Sequence, residues 1–139
     1  MGINFFSEEI SFTLDDPMAI RNWIFEVIKD KKSHPGTINY IFCNDNYLLA
    51  LNQQYLGHDT FTDIITFDYS KEKVVSGDIF ISIERVKENS AKFSIPFSNE
   101  LNRVIIHGVL HLCGQDDKTE TEKKSMRQME DHYLQRIYQ

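Results

Sequence analysis

Two histidines, His107 and His111, are four residues apart in a largely apolar segment, NELNRVIIHGVLHLC at positions 99–113. Side chains four positions apart lie on the same face of an α-helix, so both imidazoles can reach one metal ion. Asp117 follows Gly114, a residue type at which helices commonly end in a turn. Two histidines and one carboxylate leave a coordination position open for water, which is typical of catalytic rather than structural zinc sites.

The residue after the first histidine bears on the reaction class. Zinc peptidases of the His-Glu-x-x-His type carry a glutamate there as general base, whereas this chain has Gly108. This weighs against a zinc peptidase or amidase. A glycine inside a helix costs about 1 kcal/mol relative to alanine, so Gly108 also indicates the close approach of another element or a ligand. A non-haem iron oxygenase uses the same kinds of ligand, but these usually lie on β-strands.

The helix predicted over 99–113 is apolar on nearly every side, which indicates a buried helix. The exception is a stripe formed by Arg103, His107 and His111. An arginine in this position pairs more often with a nearby carboxylate than it takes part in catalysis. Ser98 is the expected N-cap, since its hydroxyl can accept a hydrogen bond from a free backbone amide.

The elements that position this stripe alternate between short strands and helices. Segments rich in β-branched and aromatic residues predict strands at 37–43, 63–69 and 74–82, the last two as a hairpin, with weaker candidates at 3–6 and 10–14. Capping residues and apolar periodicity predict helices from Asp16-Pro17, from 44 or 45 to about 55, over 83–93, over 99–113, and after a capping box of Thr119 and Glu122. Four residues are expected on the inner face of the last helix: Met126, Met129, Tyr133 and Ile137.

Composition limits the classes of function. The chain of 139 residues is expected to form a single domain, 1–139, and its net charge of −6 argues against charge-driven coating of nucleic acid or anionic membrane. A small local RNA site remains compatible with this charge. The chain has no apolar run long enough to cross a bilayer, and its first residues do not match a signal peptide. Cys43 and Cys113 are expected to be buried thiols. The expected location is the cytoplasm.

The segment HGVLHLCGQDD at 107–117 strongly resembles the signature of the YbeY family, bacterial endoribonucleases and rRNA maturation factors. That signature runs His-Gly-x-Leu-His-Leu-x-Gly-x-Asp-His. The segment LNQQYLGHDTFTDIITFDY at 51–69 is similar to the family segment with a Thr-Asp-Val-Leu-Ser-Phe core, and SGDIFIS at 76–82 is similar to its Gly-Asp-Ile strand. The resemblance therefore extends over most of the chain, in the same order.

The resemblance implies an α+β fold, with a central mixed sheet of four to five strands flanked by helices and a metal site on a buried helix. It implies one Zn²⁺ ion held by three side chains. The implied activity is that of a single-strand-specific, metal-dependent endoribonuclease acting in 16S rRNA 3′-end maturation and ribosome quality control. The implied partners are the 16S rRNA precursor, the small ribosomal subunit and assembly factors, with no membrane.

Two positions depart from the family pattern. Asp117 stands where the third ligand is usually histidine, and a carboxylate makes the site harder, so that Mn or Fe could bind as well as zinc. Leu56 stands where many members carry an arginine that is thought to contact the substrate phosphate. That contact would then fall to Arg103, as a catalytic group, or to His58.

Further residues and two alternative functions complete the hypothesis. Asp63 and Thr66, at the start and middle of an expected edge strand, are predicted to line the substrate cleft, although Asp63 could instead cap the loop and His58 could simply be a solvated side chain. The net charge of −6 and the departure at Leu56 also favour an alternative, a ribosome-assembly binding module whose metal is mainly structural. A zinc peptidase or amidase is the other alternative.

Overall fold

The computed structural model describes residues 2–137, which form four strands, five α-helices and one π-helical turn. In chain order these are β1 (Gly2–Ser7), α1 (Pro17–Asp30), β2 (His34–Cys43), α2 (Asp45–Leu51), the π-helical turn (Asn52–Leu56), β3 (Ile64–Asp68), β4 (Val74–Ser82), α3 (Ile83–Lys92), α4 (Phe97–Leu112) and α5 (Glu120–Ile137). Across residues 2–137, the structure contains no helix that is both long and apolar enough to traverse a bilayer.

The strands form one mixed sheet in the order β1-β2-β4-β3. β1, β2 and β4 are parallel, whereas β3 runs antiparallel to β4, with Ile64 opposite Ile81 and Asp68 opposite Gly77. This confirms the expected α+β class, the four-stranded mixed sheet and the hairpin. It also places β3 at an edge of the sheet, next to the helix that carries the two histidines.

Helix α4 packs on the buried face of the sheet. Alternate residues of β2 and β4 are buried there, as the period of a strand requires. The Tyr40 hydroxyl donates a hydrogen bond to the Ile105 carbonyl (2.8 Å), which ties β2 to α4. A β-carbon added to Gly108 would lie 2.9 Å from Ile79 Cγ2 and 3.1 Å from Ile64 Cδ1. The glycine therefore allows the close approach of the sheet that its position inside a helix indicates.

Two local expectations were wrong. Residues 10–14 form no strand; Ile10, Phe12 and Leu14 pack against the core from an irregular segment. Ser98 is not the N-cap, because α4 begins at Phe97, two residues earlier than expected, and its N-cap is Pro96. The Pro96 carbonyl accepts from the amides of residues 99 and 100, so the first turn closes without a side-chain cap.

Helix α5 begins with the expected capping box. The Thr119 amide donates to Glu122 Oε1 (3.0 Å), and the Glu122 amide donates to the Thr119 hydroxyl (3.1 Å). Met126 and Tyr133 are buried, while Met129 and Ile137 are partly buried against the same core. This packing fixes the inner face of α5 opposite α4. Cys43 is a buried free thiol, and Cys113 is a half-buried one.

Candidate metal centre

Three side chains from the end of α4 and the turn beyond it converge. Helix α4 is buried on most sides, and the rings of His107 and His111 project from its remaining face, with their centroids 4.5 Å apart. Gly114 has φ of +98°, a left-handed conformation that favours glycine, and it ends the helix. The Gln115 amide donates to the Leu110 carbonyl (3.0 Å), which folds the chain back so that Asp117 reaches the two imidazoles.

The distances from Asp117 to the two histidines match those between ligands of one metal ion. Asp117 Oδ2 lies 3.3 Å from His107 Nε2 and 3.3 Å from His111 Nε2. Ligands at 2.0–2.1 Å from a tetrahedral ion are separated by about 3.3–3.4 Å, since the edge of a tetrahedron is about 1.63 times its centre-to-corner distance. One ligand atom from each residue lies within 4.8 Å of the other two. These three residues can therefore hold one cation.

Hydrogen bonds orient both imidazoles for this role. His107 Nδ1 lies 2.6 Å from Glu130 Oε2, and His111 Nδ1 lies 2.9 Å from the Gln115 carbonyl oxygen. Both partners are acceptors, so each Nδ1 carries the proton and donates it. In a neutral imidazole this leaves the lone pair on Nε2, the atom that faces Asp117. Partners of this kind fix the tautomer and orientation of histidines that bind metals.

Glu130 of α5 is a site residue that the sequence reasoning missed. The residue is only 5% exposed, and its second oxygen, Oε1, accepts from Arg103 NH1 at 2.9 Å. A detectable signal exists in the sequence, because Glu130 lies four residues after Met126 and three before Tyr133. It is therefore a charged residue on the otherwise apolar inner face of α5, where burial without a partner would be costly.

Arg103 lies in the expected stripe and points toward α5. NH1 contacts Glu130, and NH2 contacts Asp131 Oδ1 at 2.7 Å. Its pKa is held above the usual value, since these two carboxylates outweigh the opposing effect of burial. The arginine was expected to pair with one carboxylate and pairs with two. Its side chain also lines the cleft beside His107.

The site has a negative electrostatic environment. Burial acts to lower the pKa of His107, but the hydrogen bond and charge of Glu130, followed by the charges of Asp117 and Asp63, outweigh it and raise that pKa. Burial raises the pKa of Asp63, and the interaction with His107 partly opposes this. Carboxylates that favour a charged imidazole also favour a metal cation at the same place, because both carry positive charge.

The remaining predicted site residues line two depressions that meet at the triad. A cleft of about 370 Å³ contains Asp63 together with His107 and Asp117. A neighbouring groove of about 520 Å³ contains His58 and Thr66 and shares Asp117 with the cleft. The structure therefore brings every predicted residue to the triad or to one of the two depressions beside it.

Comparisons with known proteins identify the family of this chain. The family model described as "Endoribonuclease YbeY" matches residues 3–138. The chain belongs to the YbeY family. Several curated relatives are called "Endoribonuclease YbeY". The chain is 53% identical to the one from Flavobacterium psychrophilum over 129 residues, which cover 93% of this chain and 92% of the relative. It is 50% identical to the Christiangramia forsetii protein, over 95% of this chain and 92% of that relative.

A solved structure supports the fold of this YbeY-family chain independently. The solution structure of TM1509 from Thermotoga maritima superposes with a TM-score of 0.69 at 28% identity. The match covers 98% of this chain and 89% of TM1509. The resemblance inferred from segments 51–69, 76–82 and 107–117 is thereby confirmed as family membership.

Proposed function

We propose that this protein is a metal-dependent endoribonuclease. The observation that carries the proposal is the convergence of Nε2 of His107, Nε2 of His111 and Asp117 Oδ2, with both imidazoles oriented by acceptors at Nδ1. The names of the curated relatives supply the reaction class. Gly108 occupies the position where a peptidase of the His-Glu-x-x-His type needs its glutamate, which speaks against peptide hydrolysis.

Zn²⁺ is the ion that we propose for this site, with Mn or Fe as further candidates because Asp117 contributes an oxygen ligand. A bound divalent ion would lower the pKa of water and stabilise negative charge that develops on the phosphate. The protein itself holds Asp117 Oδ2 at 3.3 Å from Nε2 of each histidine and keeps a proton on each Nδ1. Both tasks depend only on residues at the end of α4, on Gln115 and Asp117 beyond it, and on Glu130.

The substrate proposed for the cleft is a single RNA strand. The cleft is lined by four carboxylates (Asp63, Glu100, Asp117 and Glu130) and by three basic residues (Arg103, Lys123 and Arg127). The basic residues can bind phosphates locally despite the acidic total charge. Asp63 borders the same cleft, and His58 and Thr66 border the adjoining groove, so all three are proposed to contact RNA. We further propose 16S rRNA 3′-end maturation and ribosome quality control as the cellular role. The small ribosomal subunit and assembly factors would be the partners, and the cytoplasm the location.

Arg103 is proposed to contact the scissile phosphate through its remaining N–H groups, with its guanidinium positioned by two carboxylates. We expect Arg103→Ala to lower kcat/KM on RNA by about 10- to 100-fold, the range of one hydrogen bond to a charged group. Bound metal should stay unchanged, and Arg103→Lys should restore part of the rate. Steady-state kinetics with metal analysis measures both quantities. Turnover that stays within about twofold of the wild type would assign Arg103 a structural role only.

Metal dependence and substrate class can be tested in one assay. The purified protein is stripped with a chelator, reloaded with zinc, manganese or iron, and presented with single-stranded RNA, duplex RNA and casein. We expect cleavage of the single strand alone, lost on chelation and restored by at least one metal. Cleavage that persists in the stripped protein would refute the metal mechanism. Cleavage of casein would favour the peptidase alternative.

A further inference from the structure

The groove on the β3 side of the triad has a composition unlike that of the cleft. Its apolar lining includes Leu56 and Phe61, which accompany the hydroxyl groups of Thr60, Thr62 and Thr66. The cleft on the other side is lined mainly by charged residues of both signs, whereas Lys118 and the shared Asp117 are the charged residues of the groove lining. The two depressions meet at Asp117, so a strand crossing the triad would have charged groups on one side and an aromatic surface on the other.

Phe61 is exposed although it is a large apolar side chain. Its relative exposure is 52%, while Arg85 of α3 lies against the ring, with Cζ 5.1 Å from the ring centroid. Arg85 is itself held by Asp45 (3.0 Å) and Glu88 (2.8 Å). The guanidinium therefore supports the ring from one side in a cation–π contact, and the ring remains open to the groove.

The loop that carries Phe61 is attached to Asn52 of the π-helical turn at two points. The Asn52 side chain donates to the Thr60 carbonyl (2.8 Å), and the His58 amide donates to the Asn52 carbonyl (3.1 Å). These bonds restrain the loop, and Arg85 packs against one side of the ring. A rigid aromatic surface loses little conformational entropy on binding, which suits it to stacking.

We infer that Phe61 and Leu56 form a stacking subsite for one unpaired nucleobase of the RNA strand next to the bond that is cleaved. This inference rests on the proposed nuclease function. The groove volume of about 520 Å³ lies within the range of small-molecule sites. The groove is continuous with the triad through Asp117, and every base has an aromatic face regardless of sequence. The subsite therefore selects single strands, because bases in a duplex are already stacked.

The test uses Phe61→Ala, Phe61→Trp and a matched control, Phe6→Ala. Phe6 is equally exposed (51%) but lies on β1, at the opposite edge of the sheet. With single-stranded RNA, Phe61→Ala should raise KM by about 5- to 150-fold, the range of one base–aromatic stack, and change kcat less. Phe61→Trp and Phe6→Ala should keep a KM near that of the wild type. Metal content and thermal melting establish that each variant is folded and loaded.

A second measurement changes the RNA as well as the protein. Wild-type protein is assayed on RNAs in which one nucleotide at a time is abasic, and we expect one position beside the cleaved bond to raise KM. In Phe61→Ala the abasic substitution at that position should add no further loss, because ring and base act as a pair.

Three results would overturn the inference: no sensitive position in the wild type, a KM of Phe61→Ala equal to that of Phe6→Ala, or losses that simply add. Failure of the nuclease function itself would look different, since the wild type would then cleave no RNA at all.

Discussion

Replacing His107 by alanine is expected to abolish both metal binding and RNA cleavage. The substitution removes one of the three atoms proposed to bind the metal. It also removes the imidazole ring that Glu130 orients toward Asp117. A bound divalent ion contributes several kcal/mol to stabilising developing charge, which corresponds to a rate loss of about 10³-fold or more. The measurements are elemental analysis of the purified variant and cleavage of a single-stranded RNA under saturating substrate.

The matched control for this prediction is His34→Ala. His34 is an exposed histidine at the start of β2 and is not among the residues whose ligand atoms converge. The His34→Ala substitution should leave the metal content and the rate of RNA cleavage unchanged. Chelator-insensitive RNA cleavage by His107→Ala would contradict the proposal. The same variant also tests the binding-module alternative in cells, because restored 16S end processing by a protein that lacks metal would favour a binding role over catalysis.

Replacing Glu130 by glutamine is expected to raise the dissociation constant for the metal by about 10- to 100-fold, the usual cost of losing a partner that orients a histidine ligand. The carboxylate accepts from His107 Nδ1 and from Arg103 NH1 at the same time. A glutamine side chain has one acceptor oxygen and one donor nitrogen, so it must place a donor against one of these two donors. Titration of the stripped protein with metal measures the change.

Two observations distinguish positioning from a general loss of structure. Cleavage by Glu130→Gln should recover at high metal concentration, since the three ligands themselves are intact. Asp131→Asn is the matched control, because Asp131 contacts Arg103 (2.7 Å) but does not contact the histidine, and its exposed ion pair is worth about 0–1 kcal/mol. Its metal affinity should stay near that of the wild type. Equal metal affinities of Glu130→Gln and the wild type would refute the positioning role.

The three candidate metal ligands could be predicted because they are close together in the sequence. His107 and His111 are one helical turn apart, and Gly114 marks the turn that returns Asp117, so all three residues lie within eleven consecutive positions, 107–117. The edge hairpin was predictable for the same reason, since its two strands are neighbours in the chain. Their apolar patterns are strong enough to specify which segments pair.

Boundaries were less predictable because several local solutions compete. Ser98 is a good N-cap by type, but the backbone at Pro96 already closes the first turn of α4. Residues 10–14 carry alternating apolar side chains, yet these pack against the core without strand pairing. A local backbone hydrogen bond decided the first case, and tertiary packing decided the second.

The sequence by itself predicted the candidate ligands and their spacing, and its resemblance to a known family indicated the family and the mixed sheet. Only the tertiary structure decided which groups support them. Glu130 is 23 positions from His107 in the sequence but contacts it. Arg85 of α3 contacts Phe61, which lies in the loop before β3. The physical reason is that helix and turn periodicity act over a few residues, whereas the partner of a buried charge or ring depends on how distant elements pack.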